Sequence, residues 1–246
     1  MPERMKGGNT SRVVKDGRTV LRSTGAWSPF VHQLLQHLAA VGFTEAPVFI
    51  EQVGDQERLS FVAGEVGNDP LKSYMQTDEV LVEAAQLLRR LHDCTQSFAI
   101  PVEAAFMLPL MTPHEVICHN DFAPYNCVYR DGHLIGVIDF DTAGPGTRLW
   151  DIAYAVYRFV PLTNDPHSLD NGWNPIPDRA ARLRLFCDAY GLDDRGELIA
   201  TVRLRLQALV DFMRRTDSNL EHIPFYEADL QYLSEHEAEF TAAIIG

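Results

Sequence analysis

One stretch of this 246-residue chain constrains it more than any other. It is the run of 34 residues from Cys118 to Asp151. An apolar segment, Val116-Ile117-Cys118, breaks into His119-Asn120-Asp121, and Asn126 follows five residues after Asp121. Cys127-Val128-Tyr129 and Leu134 to Ile138 then read as a hairpin turning at Asp131-Gly132. The second strand ends at Asp139, where a carboxylate closing an apolar run needs a partner. The hairpin returns the chain, so Asp139 is expected beside Asn126. An amide oxygen and a carboxylate are hard ligands that suit Mg²⁺, which keeps several waters and takes few protein groups. A second carboxylate, Asp121, is placed to accept or orient a hydroxyl proton. Positioning, a metal and charge neutralisation are what phosphoryl transfer asks of a protein.

The flanking residues predict a mixed architecture. Ser11 to Lys15 and Arg18 to Arg22 are β-branched runs separated by Asp16-Gly17, a strong hairpin signal. Ser28-Pro29 predicts a helix start, with Ser28 as cap, Val31, Leu34, Leu35 and Leu38 on one face, and Gly42 as the stop. Pro47 to Val53 and Arg58 to Phe61 read as strands joined around Gly54-Asp55. The order β-β-α-β-β suits a small antiparallel sheet with one helix. After Gly64 the character changes. Val80 to His92 is an amphipathic helix with Leu81, Ala84, Ala85, Leu88 and Leu91 along one stripe. Residues 114 to 142 read as short strands and loops. Helices are expected at Asp178 to Tyr190, Arg195 to Arg215 and Tyr226 to Ala243, with Pro161 to Pro177 as a long loop. The expected fold is α+β and bilobal, with residues 1–64 as the N-terminal lobe, 65–246 as the C-terminal lobe, and a hinge near Val62 to Glu65.

Bulk properties exclude several classes. The formal net charge of −13 argues against a phosphate-backbone binder, so no nucleic-acid partner is expected. An acidic surface can steer a cationic substrate, although an ordinary soluble acidic protein carries the same charge. No apolar run reaches the roughly 18 residues of a membrane helix, and the polar N-terminus lacks the apolar core of a secretory signal. A cytoplasmic protein with no membrane partner is expected. Cys94, Cys118, Cys127 and Cys187 lack zinc or disulfide spacing.

His-Asn-Asp-x-x-x-x-Asn followed by Ile138-Asp139-Phe140-Asp141 resembles the catalytic and metal-binding motifs of aminoglycoside phosphotransferases, choline kinases and related protein-kinase-like enzymes. The resemblance implies a protein-kinase-like fold with a small antiparallel-sheet lobe and a larger, mainly helical one. It implies transfer of the γ-phosphate of ATP or GTP to a hydroxyl of a small molecule, with Mg²⁺. Asp121 matches the catalytic aspartate, Asn126 and Asp139 match the two metal ligands, and His119 matches a structural loop histidine. Trp150-Asp151-Ile152-Ala153 resembles a downstream element whose aspartate, here Asp151, braces the catalytic loop. Arg89-Arg90-Leu91-His92 resembles a helix ending of the same family. Asp141 is a further metal or supporting ligand, or a solvated turn residue. In relatives the backbone of the hinge, here Phe61, Val62, Ala63 and Gly64, pairs with the nucleotide base.

The N-terminal part departs from that pattern. Gly7-Gly8-Asn9 stands where a phosphate-covering loop belongs, or is a flexible tail. The phosphate-binding lysine is replaced by Arg22, with Lys15 as the alternative; arginine keeps the charge without being equivalent to lysine. The partner glutamate on the following helix is absent, and His32 or Gln33 stands in its place. Asp170, Asp178, Asp211 and Glu227 are candidate amine-binding residues on the helical side, although each also reads as a solvated face. His92 and His133 read as ordinary helix-end and turn residues. Two other functions are consistent with parts of the chain. A nucleotide-binding pseudokinase or regulatory module would explain the missing glutamate and weak glycine loop. Asp139-Phe140-Asp141 is the D-x-D of some glycosyltransferases, but no nucleotide-sugar fold precedes it.

Overall fold

The computed structural model describes the backbone of residues 3–4 and, in full, residues 13–110 and 112–245. The N-terminal sheet has five antiparallel strands in the order β1-β2-β3-β5-β4. They are β1 (Glu3–Arg4), β2 (Val14–Asp16), β3 (Thr19–Ser23), β4 (Phe49–Val53) and β5 (Gln56–Ser60). The Asp16-Gly17 hairpin is present, with Val14 opposite Leu21 and Asp16 opposite Thr19. Gly17 has φ +62°, a turn conformation that glycine adopts at no steric cost. The Gly7-Gly8-Asn9 segment lies outside the described residues.

Helix α1 (Ser28–Ala40) connects β3 to β4 and buries Phe30, Val31, Leu34, Leu35 and Leu38. Its cap differs from expectation by one residue. Trp27 precedes the helix and Ser28 is already helical, its Oγ accepting a hydrogen bond from the Gly25 N–H at 3.0 Å. Phe61 onward leads through Gly64 into β6 (Glu65–Val66). A side chain at position 64 would meet the Tyr129 carbonyl and Val128 at 2.5 Å, so only glycine lets these backbones approach.

The helical part begins with α2 (Asp78–Thr95), capped by Thr77 and buried along the anticipated stripe of Leu81, Ala84, Ala85, Leu88 and Leu91. Strand β7 (Val116–Cys118) is followed by β8 (Cys127–Arg130) and β9 (His133–Val137), the expected hairpin. A return strand, β10 (Gly144–Gly146), pairs antiparallel with β7. Sequence reading assigned no helix to residues 148–159, which form α3 (Arg148–Phe159) with Thr147 as its cap. The anticipated loop at 161–177 contains a short helix, α4 (Asp165–Asp170), because the Asn164 side chain accepts from the His167 N–H at 3.1 Å. The last three helices, α5 (Arg179–Tyr190), α6 (Leu198–Thr216) and α7 (Ile223–Ile245), fall where expected. The four cysteines are unpaired. Among the described residues no helix is long and apolar enough to cross a membrane.

Candidate active site

Two antiparallel pairings bring the conspicuous residues together. β7 delivers the chain into His119, Asn120 and Asp121; β8 and β9 carry it from Asn126 back to Asp139. The Ile138 N–H donates to the Asn126 carbonyl at 2.8 Å, which fixes residues 126 and 139 side by side. β10 then pairs with β7 and holds the 139–143 segment against the 119–121 loop. Asn120 and Asp139 both have φ +64°, a left-handed conformation that Asn and Asp tolerate better than most residues. Such backbone persists where the surroundings over-determine it.

Asp151 provides much of that determination. It is wholly buried in the first turn of α3, and its carboxylate accepts the His119 N–H at 2.7 Å, the Asn120 N–H at 2.8 Å and His92 Nε2 at 3.0 Å. Burial pushes its pKa up, but the hydrogen bond and charge of His92, together with His119, hold it below the ordinary 3.8. Because the folded-state value is depressed, this stabilisation is complete above the ordinary value and is lost as pH falls through the lowered one. Asp151→Ala would strand two backbone donors and His92, and a loss of about 3–5 kcal/mol in denaturant unfolding is expected. His92, read from sequence as an ordinary helix-end residue, is fully buried and held by Tyr190 Oη at 2.7 Å as well as by Asp151. His119 accepts the Asp121 N–H at Nδ1 (3.3 Å) and donates from Nε2 to the Ile138 carbonyl (3.0 Å), tying the two loops together.

Both oxygens of Asp121 are engaged. Tyr125 Oη donates to Oδ1 at 2.5 Å, and Asn126 Nδ2 donates to Oδ2 at 2.8 Å. Burial raises the Asp121 pKa, and the Tyr125 hydrogen bond opposes the rise. Asn126 Nδ2 also donates to the Asp121 carbonyl at 2.9 Å, so its amide nitrogen faces Asp121 and its oxygen is turned to the other side.

The N-terminal sheet contributes a buried ionic chain. Arg22, on β3, donates from one terminal nitrogen to Asp139 Oδ1 at 3.0 Å and from the other to Asp141 Oδ1 at 2.6 Å. Its Nε bonds to Glu57 Oε1, and Glu57 Oε2 meets His32 Nε2. Burial alone would lower the Arg22 pKa; Asp141, Glu57 and Asp139 together raise it instead, so the guanidinium stays charged. Glu57 was missed by the sequence reading, which sought an acidic partner only on α1. Glu57 lies on β5 directly opposite Arg22, a pairing that the strand register reveals. His32 does face this cluster, from α1, while Gln33 points to the Pro29 carbonyl. Lys15 lies over the Phe61 ring at 4.1 Å and is not part of the chain of contacts. Asp141 is buried and paired with Arg22, which excludes a solvated turn residue.

Three carboxylates face one guanidinium here, so the cluster carries excess negative charge that suits a divalent cation. Among the described residues no group of three or more His, Cys, Asp or Glu is arranged to hold a metal ion. Asn126 and Asp139 supply two hard oxygen donors, the small protein share expected where phosphate and water complete the coordination of Mg²⁺. Three of the four candidate amine-binding acids have local partners. Asp178 caps α5, Asp211 accepts from Gln207, Glu227 pairs with Arg214, and Asp170 is exposed at the end of α4.

Fold and site together define a phosphotransferase architecture of the protein-kinase-like type, and comparison with known proteins agrees. The profile of the phosphotransferase enzyme family matches residues 98–198, from the end of α2 to the start of α6. A trifolitoxin immunity protein of Rhizobium leguminosarum bv. trifolii is 35% identical over 195 residues, covering 76% of this chain and 73% of its own. A choline/ethanolamine kinase family protein from Mesorhizobium loti superposes with a TM-score of 0.65 at 16% identity, over 100% of this chain and 93% of its own. An amicoumacin kinase in complex with AMP-PNP, Ca²⁺ and Ami superposes with a TM-score of 0.66 at 12% identity, over 99% of this chain and 87% of its own. The chain belongs to the phosphotransferase enzyme family and is an enzyme of that class.

Proposed function

We propose that the chain transfers the γ-phosphoryl group of ATP or GTP to a hydroxyl of a small molecule in the cytoplasm. The observation that carries this reading is the convergence of Asp121, Asn126 and Asp139 on one loop pair facing Arg22 from the N-terminal sheet. Asp121 orients the acceptor hydroxyl and takes its proton as the oxygen–phosphorus bond forms. Asn126 Oδ1 and Asp139 would hold Mg²⁺, which supplies neutralisation of phosphate charge when bound. Arg22 binds phosphate, exchanging its contact with Asp139 for the nucleotide, while Asp141 and Glu57 keep it oriented. The backbone of Phe61, Val62, Ala63 and Gly64, at the boundary between residues 1–64 and 65–246, receives the base. His119 and Asp151 brace the catalytic loop.

Intact Asp121, Asn126 and Asp139 favour turnover over a pseudokinase. The missing helix glutamate, one of the two features behind that alternative, has a counterpart in Glu57 on β5, which pairs with Arg22. Glu57→Gln removes the charge that holds Arg22 Nε. It is expected to raise the KM for nucleotide by roughly tenfold, the worth of one charge-assisted hydrogen bond, as steady-state kinetics at saturating acceptor would read. The relatives' names, an immunity protein and a kinase of amicoumacin, support an acceptor that phosphorylation inactivates. The reading is tested by calorimetric titration of ATP and GTP with magnesium and with a chelator. Binding that depends on magnesium supports it; no binding of either nucleotide contradicts it.

A further inference from the structure

The carboxylate assigned to receive the acceptor proton is already occupied by a side chain of the protein. Tyr125 Oη sits 2.5 Å from Asp121 Oδ1. It is held there from several directions. Tyr154 Oη is 2.8 Å from Tyr125 Oη. The Arg158 guanidinium lies over the Tyr125 ring at 5.4 Å and near the Tyr157 ring at 5.8 Å. The Arg205 guanidinium lies over the Tyr154 ring at 4.9 Å and donates to the Asn120 carbonyl at 2.7 Å, next to Asp121. The main chain is fixed too, since Tyr125 belongs to the single turn Pro124–Asn126, whose flanking residues are buried.

An oxygen within hydrogen-bond reach of the base, about 2.6–3.2 Å, is where an attacking hydroxyl must lie. The other Asp121 oxygen accepts from Asn126 Nδ2. An acceptor hydroxyl or a water therefore cannot reach Asp121 Oδ1 in line with its present hydrogen bond while the phenol remains.

We propose that Tyr125 plugs the acceptor-hydroxyl position at Asp121 Oδ1, keeping water out of that position until an acceptor displaces its phenolic oxygen. This rests on the phosphotransferase reading above. The reaction it suppresses is hydrolysis. A water oxygen bonds to the γ-phosphorus, the bond from that phosphorus to the β–γ bridging oxygen breaks, and the water proton passes to Asp121. The products are the nucleoside diphosphate and inorganic phosphate. Displacement costs the acceptor one strong hydrogen bond, so only a molecule with enough binding energy elsewhere gains the base. Tyr125 thereby sets specificity against water. Its phenol keeps a partner after displacement, through Tyr154.

The test is phosphate release from magnesium ATP and from magnesium GTP without any acceptor, at saturating nucleotide. Tyr125→Phe keeps the ring and its packing under Arg158 but opens Oδ1, and release should rise roughly tenfold over wild type. A double Tyr125→Phe, Asp121→Asn variant should return to the low rate, showing that the hydrolysis runs through Asp121. Unchanged release from Tyr125→Phe, with nucleotide still bound, overturns the plug and leaves the phosphotransferase reading intact. Intact-mass and peptide analysis of wild type after incubation with nucleotide provides a check that needs no variant. Unmodified Tyr125 is expected; phosphate on Tyr125 would make it an acceptor and overturn the proposal. Failure of wild type to bind either nucleotide overturns both readings.

Discussion

Asp121→Asn is expected to lower the turnover number by about 10²- to 10⁴-fold while leaving nucleotide affinity unchanged, because a positioned general base contributes on that order. The exchange is nearly isosteric, so the loop has no steric reason to move. Asparagine serves turns as well as aspartate does. If Asp121 were only a turn residue, the variant would keep its activity. One of the two donors now facing the carboxylate, Tyr125 Oη or Asn126 Nδ2, would meet an amide nitrogen instead of an oxygen. A modest fall in melting temperature is compatible with the assigned role. Retention of near-normal turnover is not.

Asp139→Asn is the second large effect. Nucleotide affinity in magnesium should fall by at least roughly tenfold, towards the value measured with a chelator, since losses of 10- to 100-fold already follow from changes behind a metal's ligands. Asparagine tolerates the left-handed backbone at φ +64°, so the conformation of the 139–142 turn is retained. Arg22 keeps Glu57 and Asp141, so the N-terminal cluster also survives. The variant thus separates metal binding from folding. Magnesium-dependent binding equal to wild type would remove Asp139 from the metal site.

The elements that sequence exposed were those with a local physical signature. The Asp16-Gly17 and Asp131-Gly132 turns, the leucine stripe of α2 and the apolar strands before His119 and Asp139 each carry their own periodicity or turn chemistry, and all are found in place. Helix α3 lies outside the expected helices, although Ile152, Val156 and Phe159 lie at helical spacing and are buried. The Ser28 cap was misplaced by one residue because Ser28 bonds backward to Gly25 rather than into the helix.

Within the site, the adjacency of Asn126 and Asp139 followed from a strand, a five-residue interval and a hairpin, whereas the roles expected of the loop residues came from the resemblance to phosphotransferase motifs. The long-range partners followed from neither. Glu57 meets Arg22 across two strands that α1 and β4 separate in sequence, and His92 meets Asp151 at a sequence separation of 59. Tyr125 gave no warning: a tyrosine beside a buried proline reads as core, and only the three-dimensional contact with Asp121 shows otherwise. The acids of the helical side, read from sequence chiefly as solvated faces, mostly have local partners. Exposed carboxylates near helix ends cap or pair locally, as Asp178 and Glu227 do.

Acceptor-stimulated consumption of magnesium ATP and magnesium GTP bears most directly on the central claim. It should be measured across aminoglycosides, choline, small sugars and other hydroxylated molecules, with Asp121→Asn alongside. Turnover stimulated by one acceptor class, phosphate recovered on that acceptor's hydroxyl, and loss of both in the variant are the expected result. Transfer that persists undiminished in Asp121→Asn would contradict the assignment of the base and, with it, the proposed site.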